Sequence, residues 1–510
     1  MIVAVTGATG NMGTYTVDEI LKMPEVKKVR ILGHKGKKTK EFIKKHRDLS
    51  QRIEVVYGTI ASEEDCLKLV SGADYVINMA AVIPPTSDKH PEAAIEANEK
   101  GPGALVNAIK AAGGHPKLIH ISTVGLYGNR NHIHPFGRVG NPLLISPFDL
   151  YALTKMRGEF TVLESGLENW AVIRQTAMLY DEMLMKNVSD GLMFHTCFNA
   201  PLEWATGRDS GRLIANILRR DIKGELDEKN FWKKCFNLGM EKNRITGYET
   251  LDDGFRLIGG NVEDFFRPDY NSMRNFHGLW FSDGWKLEEL FRYQSETLKD
   301  FWEGVKKKNP VFGLAKLVPK KLIKKLVIDR LLGDSNSPYY WKKRGDRARM
   351  TAYFKGEEEF EKTPKSWNDF PLLCKGRSPE GNIDYDELRK KDTPLFYGFD
   401  FDKDDCDINI NDLRSVAEAH GGRLLSDSFM TGDMYSPVRW ETQDGEEFTA
   451  NPYTVLRCGH WYNIAYRKYA WDFDRLSKKD KIFASAWYDS HDTDEDHFYY
   501  FDENFEAGMK

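Results

Sequence analysis

The strongest constraint in this chain lies in its first residues. The apolar run Ile2-Val3-Ala4-Val5 passes into Thr6-Gly7-Ala8-Thr9-Gly10-Asn11-Met12-Gly13 and then into a segment of helical period, Tyr15–Leu21. A strand, a glycine-rich turn and a helix in that order point to a βαβ unit. The unpaired N–H groups and positive dipole end of such a helix suit the pyrophosphate of a dinucleotide. Gly7 permits the tight turn, Gly10 lets backbone approach a phosphate, and Gly13 allows close packing of helix on sheet. Thr9, Asn11 and Met12 fill the same loop and are read with the glycines as dinucleotide contacts.

Short Val- and Ile-rich runs recur at Val29–Leu32, Val55–Tyr57, Tyr75–Asn78 and Leu118–Ile121, with helical segments between them. They lack polar alternation, so they read as strands buried on both faces of a parallel sheet. Right-handed crossovers then give an α/β fold with a doubly wound parallel (Rossmann) sheet and a substrate lobe. A chain of 510 residues exceeds what one core sustains. The composition predicts a nucleotide-binding and substrate domain over 1–305, a basic, aromatic-containing connecting region over 306–397, and a small α+β domain over 398–510.

Within the connecting region, Leu322, Ile323, Leu326, Val327 and Leu331 recur at helical spacing with lysines on the other side. This predicts an amphipathic basic helix packed on its own protein, with an anionic surface or partner as the alternative. The 339–373 stretch, with Trp341, Tyr353-Phe354 and Trp367, has no assigned role; its aromatics fit a core or a partner surface. The last region predicts a helix at Asn411–His420 stopped at Gly421-Gly422, short strands at Val438–Glu441, Phe448–Ala450 and Ile464–Tyr466, and a fraying acidic end, Asp489–Glu506.

A formal net charge of −4 and a pI near 6.4 give no reason to expect nucleic acid, which needs a basic surface. The six cysteines stand singly, which fits a reducing cytoplasm. Met1 leads straight into a strand, leaving no room for a signal peptide, and no apolar run is long enough to span a membrane.

Two further features carry chemistry. The second strand ends in Leu32-Gly33-His34-Lys35-Gly36-Lys37-Lys38. A carboxylate there would take a ribose 2′-hydroxyl, whereas His34 and Lys35 suit a 2′-phosphate, so the cofactor reads as NADP rather than NAD. Tyr151 and Lys155 are four residues apart, on one helix face. A fixed ammonium favours the phenolate and brings the phenol toward working pH. The strand end Ile121-Ser122-Thr123 offers Thr123 as a second donor to a carbonyl oxygen.

Together these residues resemble the extended short-chain dehydrogenase/reductase family, also called NAD-dependent epimerases and dehydratases, over about residues 1–300. The likeness runs through Thr6–Gly13, Asn78-Met79-Ala80-Ala81, Asn98-Glu99-Lys100-Gly101, Ser122-Thr123 before Tyr127-Gly128, Tyr151 with Lys155, and Ile173-Arg174-Gln175-Thr176. It implies Thr123, Tyr151 and Lys155 as catalytic residues. It also implies cofactor contacts from Ile60, Ala80, Ala81, Asn98, Gln175 and Thr176, and substrate contacts from Val82, Leu126, Ala177 and Met178.

Three departures bear on the substrate. Ala177 stands where nucleotide-sugar members carry a diphosphate-binding asparagine, Gly58-Thr59-Ile60 lacks the usual aspartate, and Val124-Gly125 replaces the acidic pair of dehydratases. Met178, Leu179, Met183, Leu184, Met185, Leu192, Met193 and Phe194 crowd the expected pocket segment, as an apolar pocket or as ordinary core. The expectation is hydride transfer between NADP(H) and a hydrophobic ketone or secondary alcohol, a small-molecule substrate. The alternatives are an epimerase or dehydratase on a nucleotide sugar, and a non-catalytic NADP(H)-sensing protein.

The 421–461 region resembles a degenerate zinc-binding module, through Gly421-Gly422-Arg423-Leu424, Arg439-Trp440 and Cys458-Gly459-His460-Trp461. Cys458 and His460 are too few to hold zinc, so no metal site is expected. Homodimerisation or covering the pocket are the roles left open to this region.

Overall fold

The structure is a computed structural model that describes residues 1–181, 183, 191–373, 385–388, 394–461 and 470–500. Its first half contains β1 (Ile2–Thr6), β2 (Lys28–Gly33), β3 (Ile53–Tyr57), β4 (Tyr75–Asn78), β5 (Lys117–Thr123), the short β6 (Phe136–Gly137), β7 (Trp170–Gln175), β8 (Ala177–Leu179), β9 (Pro201–Thr206), β10 (Lys234–Leu238), β11 (Arg244–Thr246) and β12 (Trp280–Phe281). Seven of these form one sheet in the order β10-β7-β5-β4-β1-β2-β3, and every pairing in it is parallel. The doubly wound sheet read from the sequence is therefore present. Strand order reverses between β1 and β4, which opens a crevice at their carboxyl ends.

The central strands are buried on both faces, with Val3, Val5, Ile77, Ile119 and Ile173 on one and Ala4, Val76, Leu118 and Val172 on the other. Strands β2 and β3, read from the sequence as buried on both faces, are only half-buried on one or both because they lie towards the sheet edge. Helix Asn11–Ile20 lies against helix Gly207–Ile222 at a spacing that only glycine allows, since a Cβ on Gly211 would stand 2.7 Å from the Tyr15 backbone. A second sheet, β11-β9-β8, starts a further lobe beside the main sheet.

The connecting region packs onto this lobe. Its helices Pro338–Arg344, Arg347–Phe354 and Glu357–Lys362 bring Trp341, Met350, Tyr353 and Phe360 into a core shared with Phe148, Leu150, Leu153 and Met156. The last region forms the antiparallel sheet β13 (Arg423–Leu424), β14 (Val438–Glu441) and β15 (Glu447–Ala450) after a helix, Ile410–Ala419, that ends before Gly421 at φ 75°. A two-stranded sheet, β16 (Ala470–Trp471) with β17 (Tyr499–Tyr500), completes it.

Trp440, Tyr453, Leu456 and Trp461 share one apolar cluster with Leu105, Ile109, Val162 and Trp170. On the edge strand β10, the Cys235 N–H donates to Tyr453 Oη at 2.9 Å, so the last region caps a sheet edge that would otherwise be open. Composition changes at residues 305 and 397, yet apolar cores run across both positions. The strand expected at Ile464–Tyr466, the pocket residues Leu184 and Met185, and the acidic tail beyond residue 500 lie outside the described residues.

Candidate active site

The glycine loop sits at the crevice. Gly7 has φ 68°, and a Cβ there would lie 2.6 Å from the Met79 carbonyl, while one on Gly13 would lie 2.1 Å from the Gly7 oxygen. Thr6 sets that closeness: its Oγ1 donates to Asn78 Oδ1 at 2.6 Å and accepts from the Met79 and Ala80 N–H groups. Gly10 caps helix Asn11–Ile20 without any side-chain acceptor and is exposed. The first turn of that helix therefore presents its N–H groups outward, ready for an anion. Thr9 and Asn11 are half-buried beside it and Met12 is buried.

His34 and Lys35 are exposed just past the end of β2, and Thr39 Oγ1 donates to the His34 carbonyl at 2.8 Å, which fixes the turn. Ile60 is buried beneath the loop after β3. Asn98 is fully engaged with protein: Oδ1 accepts from the Val82 N–H, and Nδ2 donates to the Val82 carbonyl and to Thr154 Oγ1. It ties the Ala80-Ala81-Val82 strand end to the helix that carries Tyr151, which makes its geometry that of a positioning residue.

Thr123 ends β5, where its hydroxyl accepts from the Gly125 N–H at 3.1 Å and acts on the Tyr151 phenol. Tyr151 stands in the first turn of helix Leu150–Leu163, whose N-terminus Asp149 caps through the Ala152 N–H at 2.9 Å. Lys155 lies one turn on, buried, with Nζ donating to the Ile121 carbonyl at 2.5 Å. The structure places all three residues at the carboxyl edge of β5 and the start of the helix after it, with electrostatics that the sequence does not show. Burial pushes the Tyr151 phenol up to about 12, with the Thr123 hydrogen bond opposing the rise and Asp149 adding to it. Burial also brings Lys155 down to about 8, against the pull of Glu159. The expectation that Lys155 draws the phenol toward neutral pH is corrected here: its ammonium is directed at a carbonyl of the sheet, and burial dominates the phenol.

Beside Thr123 in register lies Gln175 of β7. Both atoms of its amide are buried and have no protein partner. An amide orphaned at the carboxyl edge of a Rossmann sheet, next to the Tyr151–Thr123 pair, fits a bound nicotinamide cofactor that would satisfy it. Thr176 does not reach the same space, because its Oγ1 donates to the Glu203 carbonyl at 2.7 Å. Ala177 and Met178 are half-buried in β8, Val82 is half-buried and Leu126 is fully buried.

A cluster packed against the 147–150 segment that leads into the Tyr151 helix carries no sequence signal. His195 is ringed by Trp341 and Tyr353 at 5.2 and 5.4 Å between ring centroids. Tyr353 Oη donates to the Pro147 carbonyl at 3.2 Å, and the Arg349 guanidinium stacks over Phe148 at 4.9 Å. His277 Nδ1 lies 3.1 Å from Asp149 Oδ2. Burial, aided by Arg349, pushes His195 down to about 3, so its imidazole is neutral, with a buried Nε2 that has no partner. These residues come from segments up to two hundred positions from Tyr151, and no spacing signal links them.

Cys458 and His460 pack against helix Leu150–Leu163 and strand β7. His460 Nε2 donates to Glu159 Oε1 at 2.9 Å, Arg174 Nη2 pairs with Glu159 at 2.6 Å, and the same nitrogen donates to the Cys458 carbonyl at 2.7 Å. Among the described residues, Asp474, Glu495 and His497 are grouped closely enough to hold an ion. Their oxygens already accept from Trp487, His497 and Arg274.

Residues 3–173 match the profile of the NAD dependent epimerase/dehydratase family. Among the curated proteins no sequence matches this chain. Similar solved structures include dTDP-glucose 4,6-dehydratase from Bacillus anthracis str. Ames in complex with NAD, at 19% identity over 61% of this chain and 98% of that one, TM-score 0.46. The DesIV double mutant, a dTDP-glucose 4,6-dehydratase from Streptomyces venezuelae, is 19% identical over 62% and 100%, TM-score 0.49. UDP-glucuronic acid 4-epimerase from Bacillus cereus in complex with NAD is 20% identical over 60% and 97%, TM-score 0.45. The profile match favours the epimerase/dehydratase alternative over net ketone–alcohol redox, and at these identities the structural likenesses say nothing about substrate.

Proposed function

We propose, with the profile match over residues 3–173 as premise, that the chain is an NAD(P)-dependent enzyme of the epimerase type acting on a secondary alcohol. The observation that carries this reading is the orphaned, buried Gln175 amide in register with Thr123, beside the Tyr151 phenol. The glycine loop would hold the pyrophosphate, and Gln175 and Lys155 the nicotinamide end. A bound nicotinamide would supply reversible hydride transfer at the carbinol carbon. Tyr151 takes the hydroxyl proton as the carbon–hydrogen bond breaks and gives it back to the resulting ketone. Thr123 holds the oxygen throughout. A half-buried phenol pushed up to about 12 is protonated at neutral pH, so the returning step finds its donor loaded and the outgoing step speeds up as pH rises. Val124-Gly125 places no acid beside Thr123, which favours epimerisation over dehydration. His34 and Lys35, with no carboxylate at the end of β2, favour NADP.

Net carbonyl reduction is a second reading, favoured by Ala177 in place of a diphosphate-binding side chain and by half-buried Met178. Cofactor binding followed by fluorescence, and a panel of secondary alcohols followed both at the nicotinamide absorbance and by the fate of a deuterium placed on the carbinol carbon, separates the readings. Epimerisation inverts the carbinol centre with the label retained and no net absorbance change; net redox changes the absorbance and moves the label onto the cofactor. Tyr151→Phe is expected to lower either rate by about 10²–10⁴-fold while leaving cofactor affinity in place. Unchanged turnover in that variant, or no affinity for either pyridine nucleotide, rules the proposal out.

A further inference from the structure

Residues 306–330 hold nine lysines and arginines against one aspartate, in a chain whose formal net charge is −4. The same stretch also carries the densest exposed apolar surface among the described residues. Val311, Leu314, Leu317 and Leu326 are 60%, 64%, 81% and 60% exposed, with Val318 and Leu322 also outward. Isolated exposed leucines are ordinary; a group of six within sixteen residues, flanked by cations, is not.

The segment is held at its rear. Helix Lys320–Ile323 continues through Lys324–Ile328 to Asp329–Leu331, and Ile323, Val327, Ile328 and Leu331 pack on Met193, Phe194 and Tyr270. Phe312 packs inward against the β8–β9 side of the lobe. The apolar residues facing outward are therefore a second face on an anchored element. Lys308, Lys320 and Lys324 pair with Asp181, Asp264 and Asp329. Lys306, Lys307, Lys316, Lys321, Lys325 and Arg330 have no ion pair among the described residues.

We propose that this face docks the protein onto an anionic lipid bilayer as a monotopic surface element. Aliphatic side chains enter the headgroup–acyl boundary while unpaired cations around them meet lipid phosphates, the combination by which interfacial helices bind. No helix among the described residues is long and apolar enough to cross a membrane, so the element lies on the surface. A protein partner for this face would have to offer both an apolar groove and a dense acidic rim; a bilayer containing acidic lipid offers both without further requirement. Because the buried side of the element packs on Phe194, next to His195, the docked surface is attached directly to the substrate lobe.

The test is sedimentation of the full-length protein with vesicles of phosphatidylcholine and of a phosphatidylcholine–phosphatidylglycerol mixture. Partitioning is expected to be at least about tenfold stronger on the mixed vesicles and to weaken with salt. The triple variant Lys307→Glu, Lys321→Glu, Lys325→Glu and the triple variant Leu314→Gln, Leu317→Gln, Leu326→Gln should each lose that binding by about tenfold or more. All six positions are exposed, so melting temperature and cofactor affinity should stay at the wild-type level. Failure to bind mixed vesicles, or equal binding by both variants, overturns the proposal. So does a wild-type dimer that the leucine variant splits, because the face would then be a subunit interface.

Discussion

At the scale of single residues, burial decides the chemistry. Tyr151 and Lys155 are pushed in opposite directions by the same loss of water, the phenol toward staying protonated and the ammonium toward losing its proton. Lys155 carries a stability consequence. Its folded pKa of about 8 lies below the unfolded value of about 10.4. Between those limits the unfolded chain binds more protons, so stability rises with pH across that window and the full cost of the buried ammonium is present below it. Lys155→Met is therefore expected to raise stability at pH 7 by about 1–3 kcal/mol and to flatten the rise between pH 8 and 10, while abolishing turnover. Urea unfolding at pH 7 and 9.5 measures both; a variant less stable than wild type at pH 7 contradicts this account.

At the scale of elements, the glycine loop works because three backbones meet where side chains cannot fit. Thr6 clamps the Met79-Ala80 backbone against Gly7, and helix Asn11–Ile20 approaches Gly7 through Gly13. Gly13→Ala places a Cβ against rigid carbonyl oxygen rather than a flexible side chain, so the helix must shift away from β1. The expected loss is about 1–3 kcal/mol of stability, with a larger loss in nucleotide affinity because the helix N-terminus moves from the phosphates. Thermal unfolding with and without nucleotide reads both effects. A variant that melts lower but binds as tightly as wild type would mean that the loop is structural only.

For the whole molecule, the feature that matters most is the buried row His460–Glu159–Arg174–Tyr127–Asn237. Arg174 donates to Tyr127 Oη at 2.7 Å and Tyr127 donates to Asn237 Oδ1 at 2.8 Å. Burial opposes ionisation of Glu159, yet Arg174 and His460 hold its carboxyl well below the usual range. One network thus joins the helix carrying Tyr151, two strands of the sheet and the C-terminal region. His460→Ala or Glu159→Gln leaves a buried partner uncompensated, with an expected cost of about 3–5 kcal/mol. Hydrogen exchange should then show the 398–461 segment opening before the sheet. Uniform loss of protection would place the network in the global core rather than at a docking seam.

How much of this was legible follows from range. The glycine loop, the parallel strands, Thr123, Tyr151 and Lys155 were readable because each depends on local period, turn chemistry or a four-residue helical offset, all of which are written in linear order. His195, Arg349 and Tyr353 came to the start of the Tyr151 helix, and His460 to Glu159, only through packing across hundreds of residues. The titration behaviour of the phenol was equally invisible, since it depends on how much water the surrounding chain excludes. Sequence determined the sheet and the reactive groups on it; tertiary structure decided what surrounds them, because burial and long-range contact belong to the folded arrangement and leave no periodic trace in the chain.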